Sequence, residues 1–229
     1  MDFSRFEDRA GAVFKDKGLL KQAFTHRSYI NENRDSKLEH NERLEFLGDA
    51  VLELVITDFL YRRLKDSSEG ELTSLRSVLV NADTCSLVAQ ALGANDFLLL
   101  SKGEAKDTGR ARQYILANTL EAIIGALYLD QGYETAKNFI LAHVAPRIDD
   151  ILNKGDWTDA KSLFQEKAQE RVGLTPVYKT VRESGPDHDK RFTVNVSVGG
   201  ELYGEGEGQS KQDAEQEAAR HALIAKGWG

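Results

Sequence analysis

The sequence predicts two domains of different class. An all-α domain covers residues 1–152, a linker covers 153–159, and a small α+β domain covers 160–229 in the order α-β-β-β-α. Three observations predict this. Apolar residues recur with a helical period as far as residue 152, a region holding a single proline, Pro146. The linker, N-K-G-D-W-T-D, interrupts the pattern. After Pro176 the period changes to 2, the alternation of strands with one buried face.

In chain order, residues 4–14 and 18–24 read as short helices. Residues 25–37 are polar and irregular, with His26, Arg27, Ser28 and Tyr29 clustered. A long helix is expected over 38–64, broken by D-S-S-E-G at 66–70. Residues 71–92 read as one helix closed by Gly93. A charged loop over 102–112 leads to an apolar helix at 114–129, and Gly132 separates it from a last helix at 134–152. The second domain opens with a polar helix at 160–171. Strands follow at 177–182, 192–198 and 201–206, joined by hairpin turns at 184–189 and at Gly199-Gly200. A helix over 210–226 closes the chain, and helices bracketing three antiparallel strands pack on one face of the sheet.

Composition bounds the function. At 41% hydrophobic and 29% charged, this is a globular chain. Its one cysteine, Cys85, reads as a core residue, excludes a disulfide framework and fits a reducing, cytoplasmic setting. The opening M-D-F-S-R-F-E-D-R-A has no apolar core for a signal peptide, and no apolar run approaches the ~20 residues of a membrane span. The net charge is −7. Residues 1–150 hold 19 Lys/Arg against 24 Asp/Glu, and residues 151–229 hold 11 against 13. Neither part is basic, so any nucleic-acid contact must rest on local patches or on cations that mask the acids.

The most informative stretch is H-N-E-R-L-E-F-L-G-D-A-V-L, residues 40–52. Glu42, Glu45 and Asp49 stand at i, i+3 and i+7, which a helix returns to nearly one face. Leu44, Leu47, Val51, Leu54 and Val55 form an apolar stripe opposite, and Phe46, Ala50, Leu52 and Ile56 fill much of the rest. The helix therefore reads as buried nearly all round, with one anionic strip. Carboxylates packed together away from water need a divalent cation or a set of Arg and Lys partners. Asn118 and Glu121 stand at i, i+3 on a second apolar helix. If the two helices pack at the usual ~8–10 Å, two pairs of oxygen donors face each other in a way that suits a hard cation such as Mg²⁺. Ordinary surface ion pairs are the plainer alternative.

The signature at 40–52 resembles that of the ribonuclease III family. So do A-F-T-H-R-S-Y before it, E-G-E-L-T-S-L-R-S-V-L-V-N after it, and I-L-A-N-T-L-E-A-I-I-G-A-L-Y-L-D, residues 115–130. Residues 160–226 resemble a double-stranded-RNA-binding domain. The resemblance covers nearly the whole chain. It implies a homodimeric endoribonuclease that cuts both strands of duplex RNA with Mg²⁺, Mn²⁺ being a substitute, and leaves 5′-phosphate and 3′-hydroxyl ends. Precursors of ribosomal RNA and some messenger hairpins are the implied substrates. By motif position, Glu45, Asp49, Asn118 and Glu121 fall on the metal-binding quartet. Asp49 and Glu121 fall on the two catalytic carboxylates, and Glu42 on an acid that assists near the scissile phosphate. Phe46 falls on a dimer-interface residue, with a plain core role as the alternative.

One position departs from the pattern: the family's usual Asp is Asn118 here. An amide oxygen still ligates Mg²⁺ but brings no charge. A second reading is therefore a duplex-RNA binder whose nuclease centre is slow or silent, and a third is a scaffold dimer with no need of buried acids.

Duplex RNA is recognised through shape, 2′-hydroxyls and phosphates. Ser162, Gln165, Glu166 and Gln169 share one helix face suited to a minor groove, or simply to solvent. The resemblance carries RNA contacts to them, to His188 in the first hairpin turn, and to Ser210 and Lys211 at the start of the last helix. Lysines are few there. His26, Arg110 and Arg112 are secondary candidates, the arginines for RNA backbone near the acids.

Overall fold

The computed structural model describes residues 1–154, 159–186 and 190–228. Contacts divide it into two compact units, Met1–Trp157 and Thr158–Gly229.

The first unit is all helical. α1 (Ser4–Ala10), α2 (Lys17–Ala23) and α3 (Arg27–Glu32) precede the long α4 (Glu42–Arg63). α5 (Glu69–Leu79), α6 (Ala82–Ala91), α7 (Arg110–Gln131), α8 (Tyr133–His143) and α9 (Arg147–Lys154) follow, with two 3₁₀ turns at Ala94–Phe97 and Glu104–Lys106. α4 and α7, 22 residues each, pack against one another at the centre, and α6 covers α7. Leu52, Ile56 and Leu60 of α4 interleave with Leu120, Ile123 and Ile124 of α7 in the core.

Local chemistry explains where the helices break. Residues 71–92 are two helices rather than the one expected. Asn81 caps α6 by accepting from the Thr84 amide at 2.9 Å, so the chain restarts there. α5 begins two residues earlier than expected because Ser68 and Glu71 form a reciprocal capping box. The expected helix at 134–152 divides at Pro146, which supplies no N–H to continue α8. Residues 25–37, expected to be irregular, contain α3, with His26 as its cap.

α4 is not buried all round. Leu54, expected in the core stripe, is 57% exposed, and Phe46 is 81% exposed. With Ala50 and Tyr61, also exposed, they run along one open face of the helix. A plain core role for Phe46 is therefore excluded, whereas Cys85 is fully buried as expected.

The second unit runs α10 (Ala160–Val172), β1 (Val177–Ser184), β2 (Arg191–Val198), β3 (Glu201–Gly208) and α11 (Lys211–Lys226). The sheet is antiparallel in the order β1-β2-β3, with register shifts at Thr180/Arg182 and at Val196/Ser197. Val196 and Val198 point inward onto Phe164 of α10 and onto Ala218, Ala219 and Ala222 of α11. A side chain at Gly206 would lie 2.1 Å from the Ala218 amide, so β3 presses directly on the α11 backbone.

Candidate active site

The site begins with two glycines. A Cβ on Gly48 would stand 1.7 Å from the carbonyl oxygen of Glu121, and one on Gly125 would stand 2.1 Å from that of Leu44. α4 and α7 therefore cross with their backbones in contact, closer than any pair of larger residues allows. Glu45 and Asp49 lie within a turn of Gly48 on α4, and Glu121 and Asn118 lie about one and two turns before Gly125 on α7. The four donors of the sequence pattern are thus brought to one place by backbone geometry.

Electrostatics shows how closely they share it. Burial, then the charges of Asp49 and Glu45, push Glu121 up to about 8. Glu45 is also raised, first by burial and then by Glu42 and Asp49, while a hydrogen bond from Asn118 opposes the shift. Behind them, burial with the charges of Glu121 and Asp49 pushes the Cys85 thiol up to about 12, so this cysteine is held as an inert thiol. At neutral pH the crossing contains more negative charge than its own residues balance, and a proton on Glu121 relieves it.

The donor set tests well for a hard divalent cation: three carboxylates and one amide oxygen, with no sulfur or imidazole. In the side-chain positions seen here, however, no three His, Cys, Asp or Glu groups among the described residues close on a common point as metal ligands do. Asp49 is exposed and Glu45 half-buried, so both are free to turn toward Glu121. The residues fit such an ion in kind and location, with ligation left to side-chain rotation.

Glu42 stands at the outer end of the strip. The exposed Arg27 lies 3.5 Å from it through Nη1, and the half-buried His40 lies 3.7 Å away through Nδ1. His26 was a minor candidate in the sequence and has a structural place. Its Nδ1 is 2.8 Å from Ser28 Oγ, which in turn accepts from the Ser101 amide at 3.0 Å, while the His26 amide donates to Leu99 O. This ties the loop after Leu99 to α3 beside the acids. Burial depresses the His26 imidazole, against the pull of Glu104 and Glu42. Arg112 is also engaged internally, donating to Asn95 Oδ1 and to Glu104 O, whereas Arg110 remains exposed over the Tyr114 ring. Sequence reasoning missed Gly48 and Gly125, for which a glycine inside each apolar helix was the available signal, and noted Ser28 only as a member of a polar cluster.

In the second unit, Gln165, Glu166 and Gln169 are exposed along α10, as is Ser162. Ser162 donates to Asp159 at 2.6 Å, and Asp159 caps the helix. Ser210 caps α11 and exchanges hydrogen bonds with Asp213. Lys211 lies 3.1 Å from Glu183. His188 lies outside the described residues.

A helical domain with an acidic helix crossing, followed by an α-β-β-β-α module, defines a class: a nuclease-type acid centre joined to a module that binds RNA duplexes. Comparison with known proteins gives the family. The model described as "Ribonuclease-III-like" matches residues 16–148, and "Double-stranded RNA binding motif" matches residues 160–225. The chain is 47% identical to Ribonuclease 3 of Streptococcus gordonii over 219 residues, 94% of this chain and 93% of that one. It is 47% identical to Ribonuclease 3 of Bacillus licheniformis over 225 residues, covering 97% and 89%. A solved structure of the nuclease domain of ribonuclease III from Campylobacter jejuni, described as showing structural flexibility in a region involved in dimer formation, aligns with a TM-score of 0.58 at 40% identity. The alignment covers 63% of this chain and 97% of that one. The chain belongs to the ribonuclease III family.

Proposed function

We propose that the chain is an endoribonuclease that cleaves double-stranded RNA by metal-assisted phosphodiester hydrolysis, leaving 5′-phosphate and 3′-hydroxyl ends. The observation that carries this reading is the α4–α7 crossing, which brings Glu45, Asp49 and Glu121 within electrostatic reach of one another, so that burial and the other two charges push Glu121 up to about 8. In this reading Glu45, Asp49, Asn118 and Glu121 hold Mg²⁺, with Mn²⁺ as a substitute. Asp49 and Glu121 are the catalytic carboxylates, and Glu42 acts beside the scissile phosphate. When bound, a divalent ion acidifies water and offsets charge on the phosphodiester. The chain's own part is to keep four oxygen donors on two helices that cannot drift apart. Asn118 contributes an oxygen without a charge, which lowers metal affinity.

The nuclease domain (1–152) is joined through 153–159 to the RNA-binding domain (160–229). The latter meets the duplex through Ser162, Gln165, Glu166, Gln169, His188, Ser210 and Lys211. Two active centres are needed for two strands, and a two-fold homodimer matches the pseudo-symmetry of the duplex. The exposed stripe of α4 supports that assembly. Phe46 borders a groove of about 620 Å³ with Leu19, Leu44, Leu47 and Leu129, a receptor of the right character for the same phenylalanine of a second copy. Phe46→Asp should turn dimer into monomer in sedimentation; an unchanged dimer places the interface elsewhere. Precursors of ribosomal RNA and some messenger hairpins are the proposed substrates, in the cytoplasm. Among the described residues no helix is long and apolar enough to cross a membrane.

One observation favours a second reading. Asn118 replaces a charge by a hydrogen bond to Glu45, which eases the acid cluster without metal. The alternative is a duplex-RNA binder with a disabled centre. Cleavage of a long duplex across a Mg²⁺ titration decides, with Asn118→Asp alongside. Cutting by both proteins supports the nuclease; cutting by the Asp variant alone makes this chain a binder.

A further inference from the structure

Two lysines at the starts of α10 and α11, Lys161 and Lys211, each have a partner in the C-terminal unit. Lys211 is the one cation in the first turn of α11; it lies 3.1 Å from Glu183 and over the Phe192 ring at 5.6 Å. Lys161, at the start of α10, is 2.5 Å from Glu215 and 5.1 Å from the centre of the Tyr178 ring. Both lysines line one open groove of about 600 Å³ together with Ser162, Gln165, Tyr178 and Glu215. The polar edge of α10 and the start of α11 thus share a surface on which each ammonium group faces a carboxylate of its own chain.

Glu183 is the informative member. It is the penultimate residue of β1 and reaches across to α11, and its side chain is 48% exposed. A solvent-screened pair of this kind adds little to folding. It does act on an incoming phosphate, because any phosphate that approaches Lys211 meets the Glu183 carboxylate a few ångströms away. Unpaired lysines attract every polyanion alike, and that sequence-blind attraction supplies most non-specific binding. A lysine neutralised in place leaves shape and 2′-hydroxyls, the features in which an RNA duplex differs from DNA, with the larger share of the binding.

We propose that Glu183 sets the affinity and the RNA-over-DNA selectivity of this module by neutralising Lys211. The inference rests on the duplex-RNA reading above. Glu183 is a specificity-setting residue that acts through Lys211, and Glu215 does the same for Lys161.

The test is binding of the full chain to a duplex RNA and a duplex DNA of the same sequence, without divalent metal, across a salt series. Glu183→Gln should bind RNA about threefold tighter, with its log–log salt slope steeper by about one, the change expected for one additional phosphate contact. Its gain for DNA should be at least as large, so that selectivity falls. The double variant Glu183→Gln/Lys211→Gln should lose the gain, and thermal unfolding of Glu183→Gln should match the parent. Unchanged or weaker RNA binding by Glu183→Gln overturns the proposal, since Glu183 then orients Lys211 for the phosphate. A gain that survives in the double variant also overturns it, as does a gain confined to RNA. If the parent binds neither duplex even at low salt, the duplex-RNA reading itself falls. That result is distinct from a parent that binds RNA and a variant that matches it.

Discussion

At the α4–α7 crossing the charges of Asp49 and Glu45 add to burial in lifting Glu121 to about 8, and no ion pair to these three acids is seen among the described residues. In the C-terminal unit the opposite arrangement prevails: Lys161–Glu215, Lys211–Glu183, Arg220–Glu217 and Lys226–Glu201 are all pairs of opposite sign. Both units are assigned to one polyanion, yet one concentrates negative charge and the other cancels charge locally. The glycine crossing keeps the two helices that carry the acids in contact, and a proton, a cation or the Asn118 hydrogen bond to Glu45 relieves their repulsion. The paired surface bears no such cost and binds by fit. Charge that a fold tolerates against its own stability marks chemistry, whereas charge that it cancels marks a surface tuned for selectivity.

The largest effect is expected where that contrast is broken outright. Glu121→Gln removes a half-buried carboxyl that would ligate the metal and should lower cleavage by about a thousandfold or more, the scale of losing several kcal/mol of metal-assisted stabilisation. Duplex binding, measured by gel shift, should stay within about twofold. A matching loss of binding would show the acid to be structural. Next comes the crossing itself. Gly48→Ala drives a methyl into the Glu121 carbonyl and should cost the helical domain about 1–3 kcal/mol by overpacking. Cleavage should fall with it, because the donors separate. Gly206→Ala, with its methyl against the Ala218 amide, should produce the same kind of loss in the C-terminal unit alone. Scanning calorimetry of the two variants reads this; a Gly48→Ala protein with parental melting and cleavage rules out a rigid crossing.

Much of this was legible in the sequence because the signals are local. The period change after Pro176 located the sheet, and the spacing of Glu45, Asp49, Asn118 and Glu121 located the acids. What escaped was non-local or subtle. The exposure of Leu54 and Phe46 cannot be read from an apolar pattern, because a stripe for a partner has the same periodicity as a stripe for the core. The division at Asn81 escaped because an asparagine cap inside an apolar run looks like one polar residue in a helix. Glu7 had no signal of its own in a short charged helix, yet it is buried, accepts from the Phe14 amide at 2.7 Å and pairs with Lys17. Glu183 and Lys211 are 28 positions apart in the numbering, on a strand and a helix whose pairing no local pattern reveals.

A smaller effect follows from the raised carboxyl. Between about pH 4.5, the ordinary value, and about 8, folded Glu121 keeps a proton that the unfolded chain has lost. The folded state then binds more protons, so metal-free stability should fall as pH rises through that window, by a few kcal/mol at most. Thermal melts at pH 6 and pH 8 in chelator read the trend. Mg²⁺ should reduce it, and Glu121→Gln should abolish it in the helical unit. A pH-independent melt of the metal-free parent would mean that the acids are better solvated than the crossing implies.

The smallest expected effect sharpens the other side of the comparison. Ser210 and Asp213 form a reciprocal cap at the start of α11, with the Asp213 amide donating to Ser210 Oγ at 3.1 Å and the Ser210 amide donating to Asp213 at 3.1 Å. Ser210→Ala removes one half of it and should cost the C-terminal unit about 1 kcal/mol. The melting of the helical unit should not move. Because the same first turn carries Lys211, fraying there should also weaken duplex binding slightly without changing its salt slope, since no charge is altered. A change in slope would mean that Ser210 controls where the Lys211 ammonium sits, and the cap would then belong to the recognition surface as well as to the fold.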